Sequence, residues 1–216
     1  MRKRNKPWIE KELENNSRIM KNPTTKKGKW HETLKGPIYL EIGCGKGKFA
    51  IDNANINRDI NFIGFEKEEQ VIAMGVRESK NIEPPLTNLK FINGNVEDIL
   101  DYFEKGEINR LYINFCDPWR NRKKWFKRRL THSNFLKLYE GLFEDECEIF
   151  FKTDNRELFE FSLNEFCGNN WQLSNISLNL HQSEFHLSGK NIVTEYEKKF
   201  SDLGQPIYRL EARKKL

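Results

Sequence analysis

The strongest constraint on the fold of this chain is the regular alternation of short apolar runs with stretches of helical periodicity. PIYLEIG (37–43), INFIGFE (60–66), LKFING (89–94), RLYINFCD (110–117) and CEIFFKTD (147–154) are rich in β-branched and aromatic residues and show no consistent polar face. Runs of this kind predict strands covered on both sides, because a strand with one wet face alternates. Between them GKFAIDNANI, EEQVIAMGVRESK, VEDILDYF and SNFLKLYEGLF place apolar residues three or four apart, the spacing of one helix face. DNRELFEFSLNEF predicts a last helix, and WQLSNISLNL and PIYRLEAR two closing strands. Strand and helix in turn predict an α/β fold, a doubly wound and mostly parallel sheet with helices on both faces. Ligands of such sheets bind beyond the carboxyl ends of the strands, where strand order reverses. The 216 residues suit one large domain. The expected organisation is a basic, loosely attached segment over 1–35 and a folded domain over 36–216.

Several classes drop out. No run of apolar residues is long enough for a membrane span, and the opening MRKRNKPWIEKELENN lacks the apolar stretch of a secretory signal, so a cytoplasmic protein is expected. Cys44, Cys116, Cys147 and Cys167 form no CxxC pair and read as small buried hydrophobes rather than zinc ligands or disulfides. His181 and His186 are five apart with no cysteine nearby, so no metal is expected.

Charge is informative through its distribution. Residues 1–30 carry ten Lys or Arg against three Glu, and 117–131 carry seven against Asp117 alone. These two patches together exceed the whole net charge of +5, so the remaining body is acidic. Two basic patches on an acidic body are the footprint of a polyanion binder. Trp8 and Trp30 lie in or beside the first patch, and Trp119, Trp125 and Phe126 punctuate the second. Such rings either stack on unpaired bases or anchor the segments to the core.

The first strand ends in Glu41-Ile42-Gly43-Cys44-Gly45-Lys46-Gly47-Lys48. Glycines here permit a tight turn and close approach of backbone to a ligand at a helix start. The dinucleotide fingerprint requires Gly or Ala where Lys48 stands, so the spacing fits a nucleoside cofactor without a pyrophosphate. Glu66 closes the second strand, where an acid accepts from ribose hydroxyls. Asn95-Val96 follows the third strand and can meet an adenine edge, although Asn95 also reads as a helix cap. Three loops at one sheet edge point to S-adenosylmethionine.

Glu41 to Gly47, NFCDPW with KRRLTH, FKTDNRELFEFSLNEF (151–166) and TEYEKKFSDLGQPIYR (194–209) together resemble the tRNA (guanine-N7-)-methyltransferase family, over nearly the whole chain. The resemblance implies the class I S-adenosylmethionine-dependent methyltransferase (Rossmann-like) fold and methylation of N7 of a guanosine in the tRNA variable loop. It implies that Glu41, Gly43, Gly45, Gly47, Glu66, Asn95 and Val96 hold S-adenosylmethionine and that Asp117 is catalytic. Asp154 and Thr194, Glu195, Tyr196 and Glu197 match positions that contact the guanosine. Two departures stand out. Asn95 occupies a position commonly Asp, and Arg120-Asn121 replaces the usual Pro-Lys in a loop one residue longer. The substrate-contacting lysine of the family therefore maps to Asn121 counted from Asp117, or to Arg122 counted back from Lys127.

Elementary chemistry is consistent with that implication. Guanine N7 carries an in-plane lone pair, so no general base is needed, and a nearby carboxylate would stabilise the cation that forms. Lys123, Lys127, Arg128 and Arg129 are expected on the tRNA backbone, with Arg122 preferred to Asn121 for charge. Structural roles compete at several positions: Asp154 reads also as a helix cap, and Thr194 with Glu197 as a capping box. A methyltransferase of another acceptor, and a nonenzymatic RNA-binding module, remain alternatives.

Overall fold

The computed structural model describes residues 7–120 and 122–216. The helices are α1 (Pro7–Asn15), α2 (Trp30–Thr33), α3 (Lys48–Ile56), α4 (Glu69–Ser79), α5 (Ser133–Glu140), α6 (Arg156–Gly168), α7 (Glu184–Leu187) and α8 (Glu195–Ser201). The strands are β1 (Ile38–Ile42), β2 (Asn61–Glu66), β3 (Leu89–Asn93), β4 (Arg110–Asn114), β5 (Glu146–Thr153), β6 (Gln172–Ser177) and β7 (Tyr208–Lys215). They form one seven-stranded sheet in the order β3-β2-β1-β4-β5-β7-β6. The first five are parallel, and β7 runs antiparallel to both β5 and β6.

Burial on both faces explains the unbroken apolar runs. Alternate strand residues feed one of two clusters: Leu40 and Ile63 join the larger, while Phe62 and Phe91 join the smaller beneath α3 and α4. Strand order reverses between β1 and β4, so the carboxyl ends of these two strands form the crevice where such sheets bind ligands.

Two expectations are corrected. VEDILDYF forms not an α-helix but a short 3-10 segment, Val96–Asp101, interrupted at Asp98. The N-terminal region, where described, is not loosely attached. Trp30 is fully buried and its indole donates to the Tyr102 carbonyl at 2.8 Å. The Glu107 carboxylate accepts from the backbone N–H of Gly28 and Trp30, at 3.0 and 2.8 Å. Arg18 and Met20 exchange backbone hydrogen bonds with Phe91 of the edge strand β3. Ile9, Trp30 and Leu34 are scattered among lysines, so the periodic signal was diluted below detection although the segment belongs to the core. Residues 1–6 lie outside the described residues. Among the described residues no helix is long and apolar enough to cross a membrane. Cys147 is buried as expected, but Cys167 is exposed.

Candidate active site

The loop after β1 is shaped by its glycines. Gly43, Gly45 and Gly47 have φ of 65°, 57° and 69°, a left-handed conformation that strains any side chain. A Cβ on Gly47 would lie 2.3 Å from the Phe91 ring, whereas one on Gly45 would meet nothing within 4 Å. The loop thus packs on the sheet at one glycine and faces open space at another. A Cβ on Gly75 would lie 1.8 Å from the Lys46 carbonyl oxygen, so α4 approaches the loop this closely only because residue 75 is glycine.

That open space is part of a cavity of about 460 Å³ at the ends of β1 and β4, bounded on the far side by the start of α8. Glu41 and Asn114 line it and are joined by a 2.9 Å hydrogen bond from the Asn114 amide. Oε2 of Glu41 and the one side-chain oxygen of Asn114, Oδ1, are buried without a hydrogen-bond partner among the described residues. Burial pushes the Glu41 carboxyl up to about 7, against the opposing pull of Asn114 and Lys152. Unsatisfied buried acceptors are uncommon and destabilising, so this pair marks a place built for a donor or cation. Glu66 lies one strand away. Its carboxylate accepts from the N–H of Gly45, Lys67 and Glu68 at 3.1, 2.9 and 3.1 Å, which fixes it at the mouth of the glycine loop. Asn95 is exposed and caps the following turn, accepting from the Glu97 N–H at 3.4 Å, and Val96 packs against the larger core cluster. The cap and an adenine contact are compatible, because Oδ1 has a second lone pair and the cap bond is long.

The loop after β4 carries Asp117. Two of its residues, Phe115 and Trp119, sit at φ of 51° and 45°. Left-handed conformations at bulky residues cost of order 1 kcal/mol or more each and concentrate at functional sites. The Phe115 N–H donates to the Lys152 carbonyl at 2.9 Å. Asp117 itself is exposed and is not among the residues that line the cavity, and among the described residues no hydrogen bond to its side chain is found. Burial, then Asp117, pushes the neighbouring Cys116 thiol up to about 12, which removes it as a nucleophile.

The opposite wall comes from α8. Thr194 and Glu197 form a capping box, with Glu197 N–H to Thr194 Oγ1 at 2.9 Å and Thr194 N–H to Glu197 Oε2 at 3.4 Å. Thr194, Glu195 and Tyr196 line the cavity, and Glu195 reaches Lys46 of the glycine loop at 2.8 Å. Glu197 does not line it. Its carboxylate is fully buried and bound by Lys152, His181 and Asn191, which gives Glu197 a structural role at the start of α8. Lys152, also buried, donates to Glu197, Asn191 and the Ile192 carbonyl at 2.9, 2.9 and 3.1 Å. Burial lowers the Lys152 pKa. Burial opposes ionisation of Glu197, but Lys152 and its hydrogen bonds outweigh it and leave the carboxyl below its usual range. His181 and His186, unremarkable by spacing, stack at 4.2 Å beside this network and with Glu197 form a group of ligand-type atoms within 4.8 Å. His181 Nε2 already meets the Glu197 carboxylate at 2.9 Å and His186 Nδ1 the Asn191 amide at 3.1 Å, and Lys152 holds the same carboxylate. Asp154 follows β5 at the same sheet edge, but the cap of α6 is Asn155, which accepts from Leu158 N–H at 2.8 Å.

The basic run divides. Arg122, Lys123, Lys124, Lys127 and Arg128 are exposed around a short 3-10 turn, Lys123–Arg128, with Arg122 over the Trp125 ring at 5.2 Å and Arg128 over Trp119 at 5.0 Å. Arg129, also expected on the tRNA backbone, is different. It is 1% exposed, lies 3.7 Å over the Phe126 ring, and bonds the Pro118 carbonyl at 2.8 Å and Glu157 at 2.7 Å. It therefore ties down the Asp117 loop. Asn121 lies outside the described residues.

A family model described as "Putative methyltransferase" matches residues 35–210. A tRNA (guanine-N(7)-)-methyltransferase of Clostridioides difficile is 48% identical, with 99% of each chain covered. One of Bacillus subtilis is 47% identical, with 98% of each chain covered. The chain belongs to the tRNA (guanine-N7-)-methyltransferase family. Among solved structures, a 16S rRNA (adenine(1408)-N(1))-methyltransferase from Catenulisporales acidiphilia superposes with a TM-score of 0.62 at 12% identity, covering 89% of this chain and 93% of its own. A precorrin-6y C5,15-methyltransferase from Geobacter metallireducens gives 0.56 at 12% identity, covering 85% and 83%. At such identities these two show the fold alone, the Rossmann-like fold of class I methyltransferases.

The residues of this family member fit S-adenosylmethionine as methyl donor. The orphaned oxygens of Glu41 and Asn114 suit a cationic amino-acid end, the glycine loop leaves backbone accessible, and the anchored Glu66 suits a ribose. Sequence reasoning missed Asn114, Phe115, Lys46 and Lys152. Asn114 and Phe115 had one available signal, their place immediately before Asp117 at a strand end. Lys152, inside an apolar strand run, had none beyond the oddity of a buried cation.

Proposed function

We propose that this protein transfers the methyl group of S-adenosylmethionine to N7 of a guanosine in tRNA, giving 7-methylguanosine. The observation that carries this reading is the match, along nearly the full length of both chains, to relatives of that name, joined to a cavity at the strand-order switch lined by the acidic and glycine residues of the first loop. S-adenosylmethionine, when bound, would supply an electrophilic methyl to the acceptor's lone pair, its sulfur keeping the electron pair of the bond that breaks. Glu41, with the loop of Gly43, Gly45 and Gly47, holds the amino-acid end; Glu66 holds the ribose; Asn95 and Val96 meet the adenine. Asp117 removes no proton, since N7 bears none. Its charge, on a loop fixed by Arg129, favours the cationic base as it forms. Asp154, Thr194, Glu195 and Tyr196 position the guanosine, and the exposed Arg122, Lys123, Lys127 and Arg128 hold phosphates. A tRNA substrate supports a cytoplasmic location.

Incubation with methyl-labelled S-adenosylmethionine and bulk tRNA, followed by nucleoside analysis, tests this. Label is expected in 7-methylguanosine, and label only elsewhere would contradict the reading. Asp117→Asn should keep cofactor and tRNA affinity while slowing the single-turnover rate on the order of tenfold, because solvent screens an exposed charge. A rise in KM alone would make Asp117 a binding residue.

A further inference from the structure

Lys46 carries positive charge across the cavity. It stands between Gly45 and Gly47, and a Cβ on Gly75 would come within 1.8 Å of its carbonyl oxygen, so α4 packs directly on its backbone. From this fixed base its ammonium donates to both oxygens of Glu195, at 2.8 and 3.2 Å. Glu195 is the first residue of α8, and both side chains line the cavity. The bond to Glu195 holds the Lys46 ammonium above its usual range. One ion pair therefore spans from the glycine loop to the opposite wall.

The fold has little need of this pair. Its side chains are 42% and 53% exposed, and exposed pairs contribute little to stability. α8 is already fixed by its capping box and by the buried Lys152–Glu197 bond. The methyl donor has more use for the cation. S-adenosylmethionine ends in an ammonium and a carboxylate, and the orphaned oxygens of Glu41 and Asn114 suit the ammonium. The N–H groups of Gly43, Cys44, Gly45 and Gly47 all donate within the protein, at 2.8, 3.2, 3.1 and 2.8 Å. Of the other lysines lining the cavity, Lys48 is taken by Asp52 of its own helix at 2.6 Å, and Lys199 lies 5.6 Å from the Phe200 ring of α8. Lys46 is on the glycine loop itself, and its partner is a solvent-accessible carboxylate that can be exchanged.

We propose that Lys46 is a positioning residue that couples the two halves of the site: with no donor bound it neutralises Glu195, and on donor binding it exchanges Glu195 for the donor's carboxylate. This rests on the reading of S-adenosylmethionine as donor and of α8 as the guanosine wall. Glu195 is then left as an unpaired carboxylate on the cavity wall, a strong acceptor for the N–H groups of the guanine edge. Before the exchange, the same hydrogen bond has to compete with the Lys46 ammonium. Donor binding therefore strengthens tRNA binding, and by linkage tRNA strengthens donor binding by the same factor. The exchange makes and breaks no covalent bond and moves no proton.

The test uses the full chain, with S-adenosylhomocysteine and 5′-methylthioadenosine as probes; the second lacks the amino-acid end. In the parent, S-adenosylhomocysteine should raise tRNA affinity about fivefold, the low end for coupled sites because the pair is half-exposed, and 5′-methylthioadenosine should not. In Lys46→Met, calorimetry should show S-adenosylhomocysteine affinity falling several-fold with 5′-methylthioadenosine affinity unchanged. tRNA should then bind equally with and without S-adenosylhomocysteine. Lys46→Arg should restore both the affinity and the coupling. Because the Lys46 side chain is half-exposed, its methionine variant should melt like the parent, so a change in affinity is not a loss of fold. Equal losses for the two probes, or a parent whose tRNA affinity ignores S-adenosylhomocysteine, would overturn the proposal. Undiminished S-adenosylhomocysteine affinity in Lys46→Met would do so too, and would assign the carboxylate to the N–H groups at the start of α3. A parent that binds neither probe contradicts the donor reading itself, whereas absent coupling with intact labelling of 7-methylguanosine contradicts the role of Lys46 alone.

Discussion

Arg128 and Arg129 are neighbours in a run that looks uniform in sequence, yet they belong to opposite regions of the molecule. Arg128 shares an exposed surface with Lys123, Lys124 and Lys127, and its guanidinium lies over the Trp119 ring. Arg129 turns inward, as Lys152 does elsewhere, and each is enclosed by named acceptors: Pro118 and Glu157 for one, Glu197, Asn191 and Ile192 for the other. Exposed cations of this kind can displace the counterions condensed on a polyanion. The buried ones hold up the two walls of the cavity, the Asp117 loop and α8. Positive charge therefore does two jobs here, and counting it cannot separate them.

The largest effect should come from the buried side. Lys152→Met leaves the Glu197 carboxylate buried without its cation, and breaking such a pair costs about 3–5 kcal/mol. Urea denaturation should show a loss of that order, and adding Glu197→Gln should restore part of it by removing the stranded charge. A Lys152→Met protein as stable as the parent would show that the two regions do not differ in this way. Glu66→Ala, at the cofactor edge, should cost roughly 1–3 kcal/mol of S-adenosylmethionine affinity by calorimetry, since it strands the ribose hydroxyls and frees the Gly45 N–H. Unchanged affinity would remove Glu66 from the site. It would also sharpen the comparison, by confining electrostatic structure to the cations.

How much of this was legible in sequence follows the same division. The sheet was readable because strands covered on both faces, such as INFIGFE, are continuous apolar runs, and the glycine loop because three left-handed turns require Gly43, Gly45 and Gly47. Asp117 and Tyr196 were within reach of motif resemblance. The direction a side chain takes was not. Arg129 turns inward because Phe126 and Phe161 stack on its guanidinium, and Phe161 lies on a different element. Trp30 was similarly hidden, since its core partner Phe103 is over seventy positions away. Lys152, Asn191 and Glu197 meet only through tertiary packing, so their network could not be read from spacing.

The division of charge is tested most directly by Arg128→Ala against Arg129→Ala, measuring melting temperature and tRNA affinity across a salt series. Arg128→Ala should leave the melting temperature unchanged and lower the log–log salt slope by roughly 0.7 to 0.9, one phosphate contact. Arg129→Ala should lower the melting temperature and slow turnover through the loosened Asp117 loop, with the salt slope unchanged. A shallower slope for Arg129→Ala together with an unaltered melting temperature would contradict the account.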